Sequence, residues 1–152
     1  MDEISVLEML AAADPRAPPP WQPEPDCNLA RIVKVYDGDT VTGICSFDGG
    51  RRLRRCSLRI HGIDCPEIRG RGAREKAAAV VARDFVHAQC FDRVVQLDPK
   101  GIDKYGRILA SLTLDGQDLA EQLLARGFAR SYAGAARTPF TDDEIDSILA
   151  QA

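Results

Sequence analysis

Apolar and polar residues alternate along the first half of the chain as they do in β-strands, and β-branched residues are frequent there. Turn-forming segments with Asp-Gly sequences, at 37–39 and 48–50, divide this stretch into three runs. In the third run apolar and polar residues alternate, so Arg59 is predicted to point away from the apolar face. The predicted strands are residues 30–36, 40–47 and 52–61.

The middle of the chain changes to a helical pattern. Ala77, Val81, Phe85 and Ala88 recur at helical spacing, which predicts a helix over residues 73–89 with these side chains on its buried face. The short apolar runs after this helix are typical of strands. They predict two more strands, at residues 93–97 and 107–114.

Helical patterns also occur after the last strand and at both ends of the chain. Residues 118–126 form a short helical pattern that ends at Gly127. Its inward-facing residues are predicted to be Leu119, Leu123 and Leu124. Residues 4–12 favour a short amphipathic helix. Near the other end, Thr141 and Glu144 have the spacing of a capping box, which predicts a terminal helix.

The order of the central elements is three strands, a helix, two strands and a helix. Five strands with a helix between the third and the fourth are compatible with a Greek-key barrel of the oligonucleotide-binding (OB) type. We therefore predict an α+β fold, a five-stranded OB-fold β-barrel with two to three packed helices.

The net charge of −3 on 152 residues hides an uneven distribution. Residues 1–27 carry a charge of −5 and contain a proline-rich stretch with the single tryptophan, Trp21. Residues 28–137 carry +6, and residues 138–152 carry −4. We predict an acidic, proline-rich arm in which Trp21 either docks on the domain or serves as a peptide motif, then a basic domain and an acidic C-terminal helix. A basic domain attracts polyanions, although a solvated surface explains the same charge.

Cysteine usage and the N-terminus bear on location. The five cysteines lack Cys-x-x-Cys spacing, which argues against a zinc ribbon or a redox motif and favours reduced, buried thiols. The first residues are acidic and Glu8 interrupts the apolar run, unlike a secretory signal. The apolar runs are also too short to span a membrane. We expect a cytoplasmic monomer without a membrane partner, although export by another route stays open.

Three short motifs with carboxylates and arginines are predicted at strand ends. They are Asp37-Gly-Asp39-Thr40, the segment from Arg59 to Glu67, and the segment from Asp103 to Arg107. Carboxylates can hold a hard cation or deprotonate a water, and arginines can neutralise charge on a phosphate. The alternatives are structural: Arg59 as an ion-pair partner of Asp39 or Asp64, and Glu67 as an ordinary carboxylate at a strand end.

These motifs, in this order and spacing, resemble those of the staphylococcal-nuclease-like (thermonuclease) family over residues 28–133. The resemblance implies an OB-fold nuclease that depends on Ca²⁺. It implies that Asp39, Asp64 and the backbone carbonyl of Cys65 ligate the ion, with Asp37 and Thr40 supporting these ligands.

The resemblance also implies roles around the scissile phosphate. Glu67 would activate the attacking water, and Arg59 and Arg107 would clamp the phosphate. The side chains expected to touch the nucleotide are Lys104, Tyr105 and Tyr132. The implied substrates are DNA and RNA, single-stranded regions preferred. The alternative function is a non-catalytic OB-fold module that binds nucleic acid or protein.

Overall fold

A β-sheet closed into a barrel forms the centre of the protein. The computed structural model describes residues 2–18, 26–70 and 72–152, so the prediction about Trp21 falls outside the described residues. In chain order the strands are β1 (Leu29–Asp37), β2 (Thr40–Phe47), β3 (Arg52–Ile60), β4 (Ile63–Asp64), β5 (Val94–Ile102), β6 (Ile108–Leu114), β7 (Gln117–Asp118) and β8 (Arg130–Ser131).

Five of these strands make the barrel. Their order is β3-β2-β1-β5-β6, and a parallel pairing of β3 with β6 closes it. Strand β7 extends this sheet, while β4 and β8 form a separate two-stranded pair. The predicted five-stranded barrel with packed helices is therefore confirmed.

The barrel closure brings distant parts of the chain together at one end of the strands. Thr40, at the start of β2, pairs with Arg59 near the end of β3. Through the parallel pairing Arg59 also lies opposite Leu109, two residues after Arg107. The apolar side chains on the inner faces of β1, β2 and β3 fill the core. They are Ala30, Ile32, Val35, Val41, Cys45, Leu58 and Ile60.

Strand β5 is longer than its hydrophobic pattern predicted. It continues from Val94 to Ile102 through Pro99 and Gly101, two residues that usually end a strand. The pairing with β6 shifts register between Pro99 and Gly101, where a bulge or irregularity interrupts the regular ladder. The extension carries the chain to the turn that contains Arg107.

The described residues contain four α-helices, and the long one follows the segment after β4. After α1 (Glu3–Ala12), the helices are α2 (Ala73–Cys90), α3 (Leu119–Ala125) and α4 (Asp142–Leu149). The bounds of α2 agree with the prediction, but the buried face does not: Ala77 and Ala88 are exposed. Its buried residues are Ala78, Ala79, Ala82, Val86 and Cys90. The helix contacts both β1 and α4, so its buried face points between two neighbours instead of along the predicted stripe.

Helices α3 and α4 complete the packing. The side chain of Asp118 caps α3 by accepting from the amides of Ala120 and Glu121. Leu119 and Leu123 are buried as predicted, but Leu124 is 36% exposed. The predicted capping box at the start of α4 is present. Ile145 and Ile148 of α4 are buried in the core cluster, so this acidic helix is packed against the domain.

Helix α1 differs from the other three because none of its residues is buried. It presents large apolar side chains to solvent, among them Ile4, Leu7, Met9 and Leu10. Among the described residues no helix has the length and apolar character needed to cross a bilayer. All five cysteines are free thiols, and four of them are buried.

Candidate active site

A cleft of about 730 Å³ opens at the end of the barrel where β2 begins and β3 ends. It draws residues from all three predicted motifs. Nine of the eleven predicted site residues line it, and eight of these belong to the motifs: Asp37, Asp39, Thr40, Arg59, Glu67, Lys104, Tyr105 and Arg107. Tyr132 lines it as well, while Asp64 and Cys65 lie buried beside it.

The turn between β1 and β2 holds two buried carboxylates. Asp37 and Asp39 are each only 4% exposed. The amide of Asp39 donates to Asp37 Oδ1 at 3.2 Å, and the hydroxyl of Thr40 donates to Asp39 Oδ1 at 3.1 Å. Burial, and then the negative charge of Asp39, raise the pKa of Asp37 to about 8. Asp37 therefore holds its proton near neutral pH and supports Asp39 without adding full charge to the cleft.

Gly38 lets this turn approach the segment after β4. A Cβ at residue 38 would lie 2.7 Å from the thiol sulfur of Cys65, which is too close for any side chain. The amide of Cys65 donates to Asp39 Oδ2 at 2.9 Å across the same junction. Burial raises the pKa of the Cys65 thiol well above its usual range, so the thiol stays neutral. The backbone amide of Cys65 is thus the group that hydrogen-bonds the Asp39 carboxylate.

Asp64 is the most enclosed carboxylate of the site, with 1% exposure. Arg59 Nη2 lies 4.0 Å from Asp64 Oδ1 and 3.5 Å from Asp39 Oδ2. Arg130, on β8, donates to Asp64 Oδ2 at 3.1 Å. The structural alternative for Arg59, an ion pair with Asp39 or Asp64, is thus present, and it fixes the guanidinium at the wall of the cleft.

Arg137 makes a second bridge on the open side of the cleft. Its guanidinium pairs with Asp64 Oδ1 and Glu67 Oε1 and lies 3.4 Å from the carbonyl oxygen of Cys65. The side chains of Arg137 and Glu67 are 39% and 43% exposed. A positive group therefore lies among the oxygens that the sequence assigned to a cation and to water activation.

The turn between β5 and β6 positions Arg107. Asp103 accepts from Arg107 Nε at 2.7 Å and from the amides of Tyr105 and Arg107 at 2.9 Å each. Burial by itself would raise the pKa of Asp103, but these hydrogen bonds outweigh it and leave the pKa below its usual value. Asp103 therefore stays ionised and holds Arg107 at the rim.

Aromatic side chains flank the two arginines. Tyr105 is 71% exposed, and its ring centre lies 5.3 Å from the Arg107 guanidinium and 5.2 Å from Lys104 Nζ. The Tyr132 ring centre lies 6.0 Å from the Arg59 guanidinium. The Tyr132 amide donates to the carbonyl of Gly62 at 2.9 Å, which ties this residue to the turn after β3. Tyr105, exposed beside two cations, and the partly exposed Tyr132 are suited to stacking on bases.

The oxygens of the site are ligands of the kind that a hard cation prefers, but the described side chains do not form a complete metal-binding cluster. Carboxylate and carbonyl oxygens of Asp39, Asp64 and Cys65 are ligands that suit Ca²⁺. Among the described residues no three Asp, Glu, Cys or His side chains are grouped so that they could hold a metal ion. Three guanidinium groups, those of Arg59, Arg130 and Arg137, lie against these carboxylates instead.

Two residues of the site were missed by the sequence analysis. Arg130 and Arg137 lie near the C-terminal end of the domain and belong to none of the three motifs. Arg130 reaches Asp64 because β8 pairs with β4, two short strands without a clear hydrophobic pattern. The +6 charge of residues 28–137 was the only sequence signal for these arginines.

The barrel and its cleft define an OB-fold domain with a site of buried carboxylates and arginines, suited to a phosphate group. A family model described as "Staphylococcal nuclease homologue" matches residues 57–152. The protein belongs to the staphylococcal nuclease family, as its motifs predicted.

Curated relatives support the same family. The chain is 31% identical over 103 residues to a thermonuclease of Staphylococcus hyicus, covering 66% of this chain and 57% of that protein. It is 28% identical over 112 residues to an uncharacterized endonuclease of Haemophilus influenzae, covering 74% of this chain and 57% of that protein. It is 30% identical over 86 residues to a "Probable endonuclease" of Schizosaccharomyces pombe, covering 52% and 37%. The chain thus spans less than two thirds of the length of these relatives.

Proposed function

We propose that this protein is a nuclease that hydrolyses phosphodiester bonds of DNA and RNA, with single-stranded regions preferred. The observation that supports the proposal best is the convergence of Glu67, Arg59 and Arg107 on one cleft, although they lie in different parts of the sequence. The family membership and the endonuclease names of the relatives favour the same activity.

In the proposed reaction each side chain of the cleft has a distinct role. Glu67, half-buried at the rim, accepts the proton of the water that attacks phosphorus. As the new bond to phosphorus forms, the P–O bond on the 5′ side breaks, and the leaving oxygen takes up a proton from solvent water. Arg59 and Arg107 donate to the phosphate oxygens and offset the charge that develops on them. Lys104, Tyr105 and Tyr132 hold the nucleotide next to the scissile bond.

We propose Ca²⁺ as the cofactor. The Asp39 and Asp64 carboxylates and the Cys65 carbonyl would hold it, with Asp37 and Thr40 orienting Asp39 through the hydrogen bonds described above. The bound ion would supply positive charge beside the scissile phosphate. The neutral, buried Cys65 thiol supports a role for the carbonyl and not for the sulfur.

Replacement of Glu67 by Gln tests the proposal. We expect the wild-type protein to release acid-soluble nucleotides from denatured DNA in millimolar Ca²⁺ and to stop on addition of a chelator. Glu67→Gln should lower the rate by about 10²- to 10⁴-fold, since it removes a general base, while binding of nucleotide persists. Glu121→Gln, an exposed carboxylate on α3, is the matched control and should keep full activity.

The alternative function makes a different prediction for the same assay. A non-catalytic OB-fold module would bind single strands but release no nucleotide with or without Ca²⁺. Binding without calcium-dependent turnover by the wild-type protein would therefore reject the nuclease. The cytoplasmic location stays a prediction, which cell fractionation can test.

A further inference from the structure

The arginine-rich segment at the start of β3 has no role in the cleft described above. Arg52, Arg54 and Arg55 are exposed on β3 and follow Arg51 in the preceding turn. Arg52 pairs with Asp48, which ties it to the turn between β2 and β3. Arg54 and Arg55 are the other basic side chains that this segment contributes to β3.

The strand register divides them between two faces of the sheet. Arg54 pairs with Cys45, whose neighbours on that face are core residues, while Arg55 pairs with Ile44 on the opposite, outer face. Arg59 is four residues further along β3, on the same outer face as Arg55. Because an extended strand rises about 3.3 Å per residue, about 13 Å separate the Cα atoms of Arg55 and Arg59.

Polar and basic side chains lie on the outer face of the sheet between Arg55 and the cleft. Thr42 pairs with Ser57 on β3 and with Lys34 on β1, so these three lie side by side on the outer face. Lys34 and Ser57 are exposed, and Thr42 is partly exposed. We call Lys34, Thr42, Arg55 and Ser57 the outer-face track.

Strands β1, β2 and β3 carry a large excess of positive charge. Strands β1, β2 and β3 contain six basic residues and one acidic residue, and that one, Asp37, lies at the cleft. Arg31 on β1 is paired with Asp92. Within the part of the chain that the structure describes, Lys34 and Arg55 make no ion pair, so both are available to an external anion.

We propose that the outer-face track binds the sugar-phosphate backbone of a single strand that continues from the cleft. The inference rests on the proposed function, since it extends the same nucleic-acid site. Lys34 and Arg55 supply cations for phosphates, and the hydroxyls of Thr42 and Ser57 supply donors to phosphate oxygens. The track carries no base-reading group, so it adds affinity for length and charge and not for sequence.

Adjacent arginines on opposite faces of β3 allow a matched test. Binding of the full chain to a fluorescent 20-nucleotide single strand is measured by anisotropy, with chelator present so that no cleavage occurs. We expect Arg55→Gln to raise Kd several-fold and to lower the salt slope of log Kd by about 0.7, the value for one lost phosphate contact on a single strand. The double variant Lys34→Gln/Arg55→Gln should lower the slope by about twice as much.

Arg54→Gln is the control, because it removes the same charge from the next residue on the other face. It should leave Kd and the salt slope close to the wild-type values. The circular-dichroism spectrum and the urea midpoint of Arg55→Gln should match those of the wild-type protein, which shows that the fold is intact.

Two results would contradict binding of the strand at the outer-face track, and a third would also contradict the proposed function. Equal losses for Arg54→Gln and Arg55→Gln would mean that only a diffuse positive field attracts the strand. An unchanged salt slope in the double variant would mean that no phosphate lies on this face. If the wild-type protein binds no oligonucleotide, the proposed function itself fails, and the track fails with it.

Discussion

At the scale of single residues, the buried carboxylate of Asp64 is stabilised by the arginines around it. A carboxylate with 1% exposure is costly to ionise unless positive groups surround it. Arg59, Arg130 and Arg137 lie against its two oxygens and offset this cost. Removal of one arginine would leave the others in place, so Asp64 keeps partners while the local charge becomes more negative.

Arg137 is the arginine whose removal should matter most for a cation. Its guanidinium contacts Asp64 and the carbonyl of Cys65, two of the three proposed Ca²⁺ ligands, and also Glu67. We expect Arg137→Gln to bind Ca²⁺ at least tenfold more tightly than the wild-type protein, as measured by isothermal titration calorimetry. The control Arg69→Gln removes a positive charge from the same cleft at a residue outside this set. Equal affinities for wild type and Arg137→Gln would contradict the prediction.

Asp37 gives the protein a pH-dependent stability. Its pKa is raised by folding from 3.8 to about 8, so the folded protein binds this proton more tightly than the unfolded chain does. The contribution to stability is complete below about pH 4 and is lost as the pH rises toward 8. The Asp37→Asn variant has no such proton to lose. The difference in free energy of unfolding, Asp37→Asn minus wild type, should therefore become more positive from pH 5 to pH 8, because the wild-type value falls.

Urea denaturation at several pH values, with chelator present, measures this difference. Asp143→Asn, an exposed residue of α4, serves as the control and should follow the wild-type pH dependence. Parallel curves for wild type and Asp37→Asn would show that Asp37 does not titrate in this range.

The residues of the three motifs could be predicted because turns and strand ends place them locally. Asp39, Asp64 and Arg59 all lie at the cleft, although the roles assigned to them stay predictions. Arg130 and Arg137 could not be predicted in the same way. Their approach to Asp64 depends on the packing of β8 and the following loop against β4, which no local spacing encodes.

At the scale of elements, the turn after β5 acts as a rigid support for Arg107. Asp103→Ala removes three hydrogen bonds that hold the turn and the guanidinium. We expect the free energy of unfolding to fall by about 1–3 kcal/mol and kcat/KM on denatured DNA to fall as well. Asp98→Ala, which loses only an exposed contact with Lys100, is the control for both measurements. A normal kcat/KM in Asp103→Ala would mean that Arg107 finds its position without this support.

The two terminal helices are both short, but they differ in packing. Ile148 of α4 has no exposed surface, whereas Leu7 of α1 is 57% exposed. Ile148→Ala should lower the free energy of unfolding by about 2–5 kcal/mol, because it leaves a cavity in the core. Leu7→Ala should change it by less than about 0.5 kcal/mol. Urea denaturation followed by circular dichroism measures both, and a similar cost for the two variants would contradict this description of the termini.

The buried face of α2 marks the limit of periodicity as a guide. Helical spacing correctly predicted the bounds of the helix, but it placed Ala77 and Ala88 inside. The helix is rich in alanine, so several faces are similarly apolar and the pattern alone does not distinguish them. The neighbours β1 and α4 decide the face, and both are distant in sequence.

At the scale of the whole molecule, charge is arranged around the cleft. The body is basic, the N-terminal and C-terminal segments are acidic, and the carboxylates of the site are enclosed by arginines. The net charge of −3 would suggest a protein that repels polyanions. The local arrangement reverses that expectation, because a polyanion near the cleft meets the basic strands first.

The parallel pairing of β3 with β6 also determines the stage of folding at which the cleft forms. Leu58 and Ile108 meet only after a loop of about 50 residues has closed, and such distant contacts form late and slowly during folding. Arg59 and Arg107 lie on either side of this seam, so a chain with its helices formed but the seam open would hold only half of the proposed phosphate clamp. We therefore expect the proposed site to become complete in a single step, together with closure of the barrel.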